Sequence, residues 1–475
     1  MCACAAESLP RNWFTGEKHI RMKIRLPENV RTIIETLESC GHEAYAVGGC
    51  VRDSILGKTP ADWDITTSAS PEEVKELFAH TIDTGIAHGT VTVMMNHCGY
   101  EVTTYRIDGE YKDGRHPESV AFTTRLSEDL KRRDFTINAM AYNSTEGLVD
   151  LFGGIEDLQS GTIRCVGCAR ERFSEDALRM LRAVRFSAQL GFAIEPDTYQ
   201  AICDLAPTIA RVSMERIMVE LVKLLVSDHP EYLRLAYESG LSAVFLPELD
   251  LMMQTPQNSV HHCYGVGEHT LCALRHVPPD KNQRLAILFH DVGKPAARTT
   301  DAKGQDHFYG HPQIGAQMTG EILRRLKFDN DTIACVKRLV RYHDVRPEAT
   351  MKSVRRAVVS MGLACFPMIF SIKRADTLAQ SMYRREEKLA AIDDFERLYE
   401  EIMAEGQCVD KKMLAINGRD LLELGLTQGS QVGDLLELLF AKVVEDPKSN
   451  TRDTLLAEAE KYIKSGTIPH RNPKE

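Results

Sequence analysis

Several groups of residues combine side-chain types and spacings that can do chemistry. Gly48 and Gly49 follow the apolar run AYAV and open a helical stretch containing Arg52. Two glycines between a strand and a helix let the backbone approach a ligand closely. The helix start offers unpaired N–H groups and a positive dipole end, and Arg52 adds a fork suited to phosphate. Asp62 and Asp64 then flank Trp63. On a strand, residues two apart face one side, so the two carboxylates would stand together. Paired acids repel and favour cations, and their hard oxygens suit Mg²⁺ shared with substrate phosphates. Glu101 opens the β-like run EVTTY and completes a carboxylate triad. Two ions about 4 Å apart can stabilise the attacking and leaving oxygens of a phosphoryl displacement. Lys131, Arg132, Arg133 and Asp134 place three cations and an acid at the expected start of a helix.

A second group is EDALRMLRAVR. Asp176, Arg179, Arg182 and Arg185 recur every three residues and would line one broad helical face, with Leu178, Leu181 and Val184 on the buried side. Aspartate accepts hydrogen bonds and arginine only donates. Cytosine presents an amino donor beside the acceptor N3, and adenine an amino donor beside N1. Asp176 with Arg179 complements both, whereas guanine and uracil set a carbonyl beside an N–H and mismatch both side chains.

A third group is a run of histidines and acids on successive helical segments. His269, His290-Asp291, His311, His343 and Asp376 mix imidazole with carboxylate, a donor set that suits a divalent metal. By contrast Cys165 and Cys168 form a C-x-x-C with no second pair in range, so no zinc site is expected. His261-His262-Cys263 has no comparable support in the sequence.

The elements that must position these residues follow from patterning. Residues 44–165 alternate short β-like runs (AYAV, VTVMM, EVTTY) with short helical ones (VRDSILGK, PEEVKELFAH). Beyond residue 171 strand signals nearly vanish, and ERFSEDALRMLRAVRFSAQLG, SMERIMVELVKLLVS and GDLLELLFAKVV carry the helical period. The expected class is α+β, an α/β head on an all-α body. Its expected parts are a disordered leader at 1–21, a head at 22–165, a helical neck with the base-reading helix at 166–260, a metal-binding helical domain at 261–385 and a helical tail at 386–475 that contacts the nucleic acid.

Composition sets outer bounds. The 475 residues are 43% hydrophobic and 27% charged, which is globular and excludes disorder or a disulfide-held mini-protein. No apolar run is long enough for a membrane helix, and no signal-peptide core opens the chain. Thirteen cysteines without such a signal suggest free thiols in a reducing cytoplasm. With a formal charge of −10, any nucleic-acid partner must be held by local basic patches.

AVGGCVRDSILGK, DWDIT, RRDFTINAMAYN and EDALRMLRAVRF, in this order, resemble the polymerase-beta-like nucleotidyltransferases. Within them they resemble the bacterial class II tRNA nucleotidyltransferases, which comprise CCA-adding enzymes and bacterial poly(A) polymerases. Cys50 departs from the pattern, where a small apolar residue is expected. The resemblance implies that Gly48, Gly49, Arg52 and Arg133 bind nucleotide and that Asp62, Asp64 and Glu101 are catalytic, with Asp62 and Asp64 holding Mg²⁺. It further implies that Asp176 and Arg179 read incoming CTP and ATP, with Arg182 and Arg185 as additional nucleotide contacts. The His/Asp set resembles the HD phosphohydrolase superfamily, implying a second divalent metal. The expected activity is untemplated addition of C, C and A to tRNA 3′ ends. Its alternatives are an A-adding enzyme, a poly(A) polymerase, or an HD phosphohydrolase with an inactive head. The segment 106–115 resembles the flexible loop required for the final A, which disfavours a CC-only enzyme.

Overall fold

In the computed structural model, the structure describes residues 19–20, 22–109, 120–346, 348–426 and 429–465. The alternating runs of the head form β1 (His19–Ile20), β2 (Ala44–Val47), β3 (Ile65–Thr67), β4 (Thr81–Gly85), β5 (Thr90–Met95), β6 (Cys98–Thr104), β7 (Arg106–Asp108), β8 (Val120–Phe122), β9 (Met140–Asn143) and β10 (Gly147–Asp150). Eight of them build one mixed sheet in the order β1-β10-β9-β2-β3-β6-β5-β4, while β7 and β8 pair apart from it. Within the large sheet only β3 and β6 run parallel, with Ile65 opposite Val102. That pairing sets the entrances of both strands side by side.

Helices α1 (Glu28–Ser39), α2 (Gly49–Ile55), α3 (Pro71–Leu77), α4 (Leu126–Lys131), α5 (Gly154–Ser160), α6 (Ala169–Glu175), α7 (Leu178–Leu190), α8 (Pro196–Leu205) and α9 (Met214–Leu225) complete most of the first unit. Helix α1 buries Val30, Ile33, Ile34 and Leu37, the stripe of an amphipathic helix lying on a sheet. Helix α3 starts with a capping box between Ser70 and Glu73, followed by Pro71 at its first turn.

The structure corrects several expectations. His19 and Ile20 pair with Val149 and Leu148, so the fold reaches into the segment expected to be a disordered leader. The rest of that leader, and residues 110–115 of the expected flexible loop, lie outside the described residues. The cations at 131–133 end α4 instead of starting a helix, which suits the negative end of its dipole. Glu101 lies inside β6, which starts at Cys98. The expected single helix across residues 171–190 is two, because Asp176 adopts an extended conformation (φ −142°, ψ 104°) between α6 and α7.

The chain divides into two compact units, one through Pro247 and one from Glu248. The second is helical, built on Val266–Leu274, Lys281–Phe289, His311–Arg325, Asn330–Tyr342 and Met368–Ala379. Residues 248–260, assigned to the neck by sequence, belong to this unit, where Asn258 N–H donates to Asp306 at 2.9 Å. Towards its end, Leu435, Leu439 and Val443 on Gly429–Glu445 pack with Leu421 and Leu455 into a separate core cluster. Among the described residues no helix is long and apolar enough to cross a membrane.

Candidate functional site

The Gly48-Gly49 turn sits where β2 ends and α2 begins. Gly48 has φ +83°, a conformation costly for any residue with a Cβ, and a Cβ there would stand 3.0 Å from Arg133 Nη1. The Arg133 guanidinium therefore lies directly over the turn. Arg133 is steered there by Asp129, a fully buried acid that accepts from Arg132 Nε at 2.9 Å, Arg133 Nη2 at 3.3 Å and the Thr66 hydroxyl at 3.1 Å. Burial would raise the Asp129 carboxyl, but Arg133 and Arg132 outweigh it and hold it below the usual range.

The three acids meet beside this turn. Asp62 and Asp64 lie in the loop entering β3, three residues and one residue before the strand, and not on a strand as expected. Backbone pairing continues into that loop, since Val47 N–H donates to the Asp64 carbonyl at 3.0 Å. By the β3–β6 register, Asp64 stands next to Glu101. Both carboxyls are raised: crowding by protein comes first, and each is raised further by its acidic neighbours, while Arg133 pulls Asp64 back down. Excess negative charge on neighbouring exposed carboxylates is what a divalent cation neutralises, so these oxygens fit Mg²⁺ by donor chemistry.

Arg52 is brought to the same turn but faces inward. Its Nη1 donates to Asn138 Oδ1 at 2.6 Å and its Nε to Asp53 at 2.8 Å, with the guanidinium 5.0 Å from the Phe186 ring. Asn138 donates in turn to Asp134, which also accepts from Arg182 Nε at 2.9 Å. A buried polar chain thus links the turn to α7. Burial would raise Asp134, but Arg182 and Asn138 hold it well below the usual carboxylate range.

The basic stripe expected on one broad surface face is different in the structure. Arg185 is buried over Phe186, bonded to Glu220 at 2.7 Å and Gln189 at 2.7 Å, and does not join the turn. Asp176 and Arg179 are joined through the backbone, where the Arg179 N–H donates to the Asp176 carbonyl at 3.0 Å, and their side chains have further partners. Arg179 donates to Glu175 at 2.6 Å and to the Arg132 carbonyl at 3.0 Å, which ties it to the cationic segment of the head. Asp176 takes a two-pronged contact from Arg216 at 2.7 and 3.2 Å and accepts from Leu178 N–H at 3.1 Å. Sequence reasoning missed Asp129, Asn138 and Arg216, and saw Asp134 only as the acid of a charge run. Asp129 stands three and four residues before Arg132 and Arg133 near a helix end, a signal that could have found it.

The second unit gathers all six predicted His/Asp positions. His269 Nε2 lies 2.9 Å from Asp376 Oδ1 and 3.3 Å from His290 Nε2. His311 and His343 face each other through Nε2 at 3.3 Å. Asp291 lies between the two pairs, and its Oδ2 is buried without a well-directed hydrogen bond. Gly293 makes the assembly possible, because a Cβ there would fall 2.3 Å from the His311 carbonyl. His262, which the sequence left unsupported, packs edge-on against His269 with ring centroids 5.1 Å apart. Burial, then Lys294, pushes it down to about 3. A cavity of about 370 Å³ opens on this cluster, lined in part by Lys294, Arg346 and Tyr309. Nitrogen and carboxylate donors within reach of one another fit a transition metal or Mg²⁺/Mn²⁺.

A mixed sheet with a glycine turn, a flanking guanidinium and a carboxylate triad defines the head of a nucleotidyltransferase. Residues 44–164 match the Poly A polymerase head domain. Residues 191–253 match the family described as the probable RNA and SrmB-binding site of polymerase A. Residues 312–459 match the putative tRNA nucleotidyltransferase domain 2. The CCA-adding enzyme of Lactiplantibacillus plantarum is 36% identical over 90% of this chain and 94% of its own length. That of Limosilactobacillus reuteri is 36% identical over 94% of this chain and all of its own length. The crystal structure of the Bacillus stearothermophilus CCA-adding enzyme in complex with CTP is similar with a TM-score of 0.66 and 31% identity. It covers 92% of this chain and 97% of that one. The chain belongs to the family of CCA-adding enzymes and bacterial poly(A) polymerases.

Proposed function

We propose that this protein is a tRNA nucleotidyltransferase that adds C, C and A to tRNA 3′ ends from CTP and ATP without a nucleic-acid template. The observation that carries this reading is the meeting of the Gly48-Gly49 turn, Arg133 and the Asp62/Asp64/Glu101 triad at one end of the sheet. The full-length likeness to proteins named CCA-adding enzyme supports CCA addition over the A-only and poly(A) alternatives. The 3′-hydroxyl oxygen bonds to the α-phosphorus of the incoming nucleotide as the bond to pyrophosphate breaks. The turn and Arg133 hold the triphosphate in place. Asp176 and Arg179 present an acceptor and a donor to the base edge. Magnesium held by Asp62 and Asp64, with Glu101 beside them, would neutralise phosphate charge and lower the hydroxyl pKa. The rest is positioning and fixed electrostatics. The test is incubation with tRNA lacking CCA, CA or A, one labelled nucleotide at a time. Ordered C, C, A incorporation is expected. Incorporation of A alone, onto tRNA ending in CC, would reduce the enzyme to an A-adding one.

A second reading is favoured by the convergence of His269, His290, Asp291, His311, His343 and Asp376 in one buried cluster. The second unit is proposed to hold a divalent metal and act as an HD-type phosphohydrolase. A phosphatase assay on metal-loaded protein tests it, and absence of turnover with several divalent ions would reduce the cluster to a scaffold.

A further inference from the structure

Helix α4 runs out into two consecutive arginines whose groups serve different places. The Arg133 guanidinium lies over the Gly48-Gly49 turn, where a Cβ on Gly48 would stand 3.0 Å from its Nη1. The carbonyl of Arg132, one residue earlier, accepts from Arg179 Nη2 at 3.0 Å. The Lys131 carbonyl before it accepts from Arg172 Nη1 at 3.3 Å. The last carbonyls of a helix have no partner within the helix and carry its negative dipole end. Here guanidinium groups from α6 and α7 cap them, so the end of α4 is the seat on which Arg179 rests. Arg179 is held from its other side by Glu175 at 2.6 Å and by the Arg172 carbonyl at 3.2 Å. One short stretch of backbone thus joins the arginine over the phosphate turn to the arginine proposed to read the base.

Asp129 fixes that stretch, and its side chain is fully buried. Its Oδ1 accepts from both Nε and Nη2 of Arg132, at 2.9 and 2.6 Å. Its Oδ2 accepts from Arg133 Nη2 at 3.3 Å and from the Thr66 hydroxyl at 3.1 Å. Thr66 lies on β3, two residues after Asp64, and its hydroxyl also stands 3.2 Å from the Thr103 carbonyl of β6. One carboxylate therefore ties both arginines to the strand pair beside the acids. A buried acid shared by two guanidinium groups resists displacement, because moving either arginine leaves the rest short of charge balance. Moving Arg132 also carries its carbonyl away, and with it the seat of Arg179.

We infer that Asp129 is a positioning residue that couples the grip on the triphosphate to the reading of the base, through Arg133 on one side and the Arg132 carbonyl under Arg179 on the other. The inference rests on the nucleotidyltransferase reading given above. It adds that phosphate binding and base choice share one buried acid that touches neither.

The test is single-nucleotide addition by the full-length protein, with CTP or UTP on tRNA lacking CCA and with ATP or GTP on tRNA ending in CC. Asp129→Asn keeps the shape and removes the charge. It is expected to raise KM for CTP and ATP about tenfold, as for one lost hydrogen bond to a charged group, and to lower the CTP/UTP and ATP/GTP preferences in kcat/KM by a similar factor. Arg133→Ala cuts the phosphate arm alone, so it is expected to raise KM for all four nucleotides and leave both preferences unchanged. Should Asp129→Asn fail to fold in a thermal melt, Arg132→Gln takes its place. That variant frees the carbonyl segment from Oδ1 and is expected to lower the preferences with little change in KM. A raised KM with unchanged preferences in Asp129→Asn would overturn the coupling. A fall in kcat shared equally by all four nucleotides, or kinetics matching the unmutated enzyme, would overturn it too. An unmutated protein that does not prefer CTP and ATP would overturn the nucleotidyltransferase reading itself, and the inference with it.

Discussion

Asp62 and Asp64 carry the most direct prediction. With the metal-holding role proposed for these carboxylates, removing one forfeits several kcal/mol of transition-state stabilisation, so Asp62→Ala or Asp64→Ala should lower nucleotide incorporation by more than about 100-fold. Binding of tRNA, measured by filter retention, should be nearly unchanged. Incorporation within tenfold of the unmutated enzyme would remove these residues from catalysis. At the proposed base-reading pair, Arg179→Ala should depress CTP and ATP together, by roughly 10- to 150-fold, because a hydrogen bond to a charged group is lost. Asp176→Ala deletes the acceptor that repels the carbonyls of uracil and guanine, so UTP and GTP incorporation should rise relative to CTP and ATP. Unchanged ratios with all four nucleotides would mean that Asp176 does not read the base edge. The types and spacing of these residues were legible in the sequence. Their partners were not: Arg216, which holds Asp176, is far along the chain, and only the packing of α7 with α9 brings it near.

At the scale of elements, the glycine turn and the buried ion chain are the parts most sensitive to change. Gly48→Ala forces a Cβ into a positive-φ position and against Arg133. A stability loss of about 1–2 kcal/mol is expected, together with a raised KM for nucleotide as Arg133 is displaced. A thermal melt and steady-state kinetics on the same preparation would check both halves. Asp134 is buried, and its carboxyl is lowered in the folded protein. A depressed carboxyl stabilises the fold above its ordinary pKa near 4, and that contribution is lost as the pH falls. The apparent Tm of the first unit should therefore drop on acidification below about pH 4. Asp134→Asn should flatten that drop while costing about 1–3 kcal/mol at neutral pH, because Arg182 loses one of its two acidic partners and keeps Glu220. Most elements were readable beforehand, since AYAV, VTVMM and the amphipathic period of α9 leave little choice. The break at Asp176 was not. Its apolar and basic periodicity runs unbroken through the joint, and only the extended backbone there separates two helices.

For the whole molecule, the division at Pro247 and Glu248 separates the two proposed chemistries by chain segment. His290→Ala combined with Asp291→Ala should abolish any metal-dependent phosphatase activity and leave CCA addition within about twofold, read in the same tRNA extension assay. Collapse of CCA addition in a variant shown to be folded would mean the sites are not independent. The net charge of −10 adds a further expectation. Recognition of tRNA must come from local cations, so affinity should fall steeply between 50 and 200 mM salt, by roughly 10³-fold or more if six or more phosphates are contacted. The class of fold and the six His/Asp positions were visible in the sequence as motifs. The join between the units was not, because no Gly/Pro-rich linker marks it.

The position of Asp176 has a consequence for how such an enzyme can drift. The same carboxylate that faces Arg216 also accepts from the first N–H of α7. With the base-reading role proposed for Asp176, substitution there is penalised twice, once in nucleotide fidelity and once in the start of a buried helix. Asparagine preserves the backbone acceptor but forfeits the charge, and glutamate keeps the charge but is one methylene too long for the turn. Under that reading, a relaxed nucleotide preference reached through this position also costs stability, by about 1 kcal/mol as for a lost helix cap, so the alphabet of the added tail is coupled to the folding of the protein that writes it.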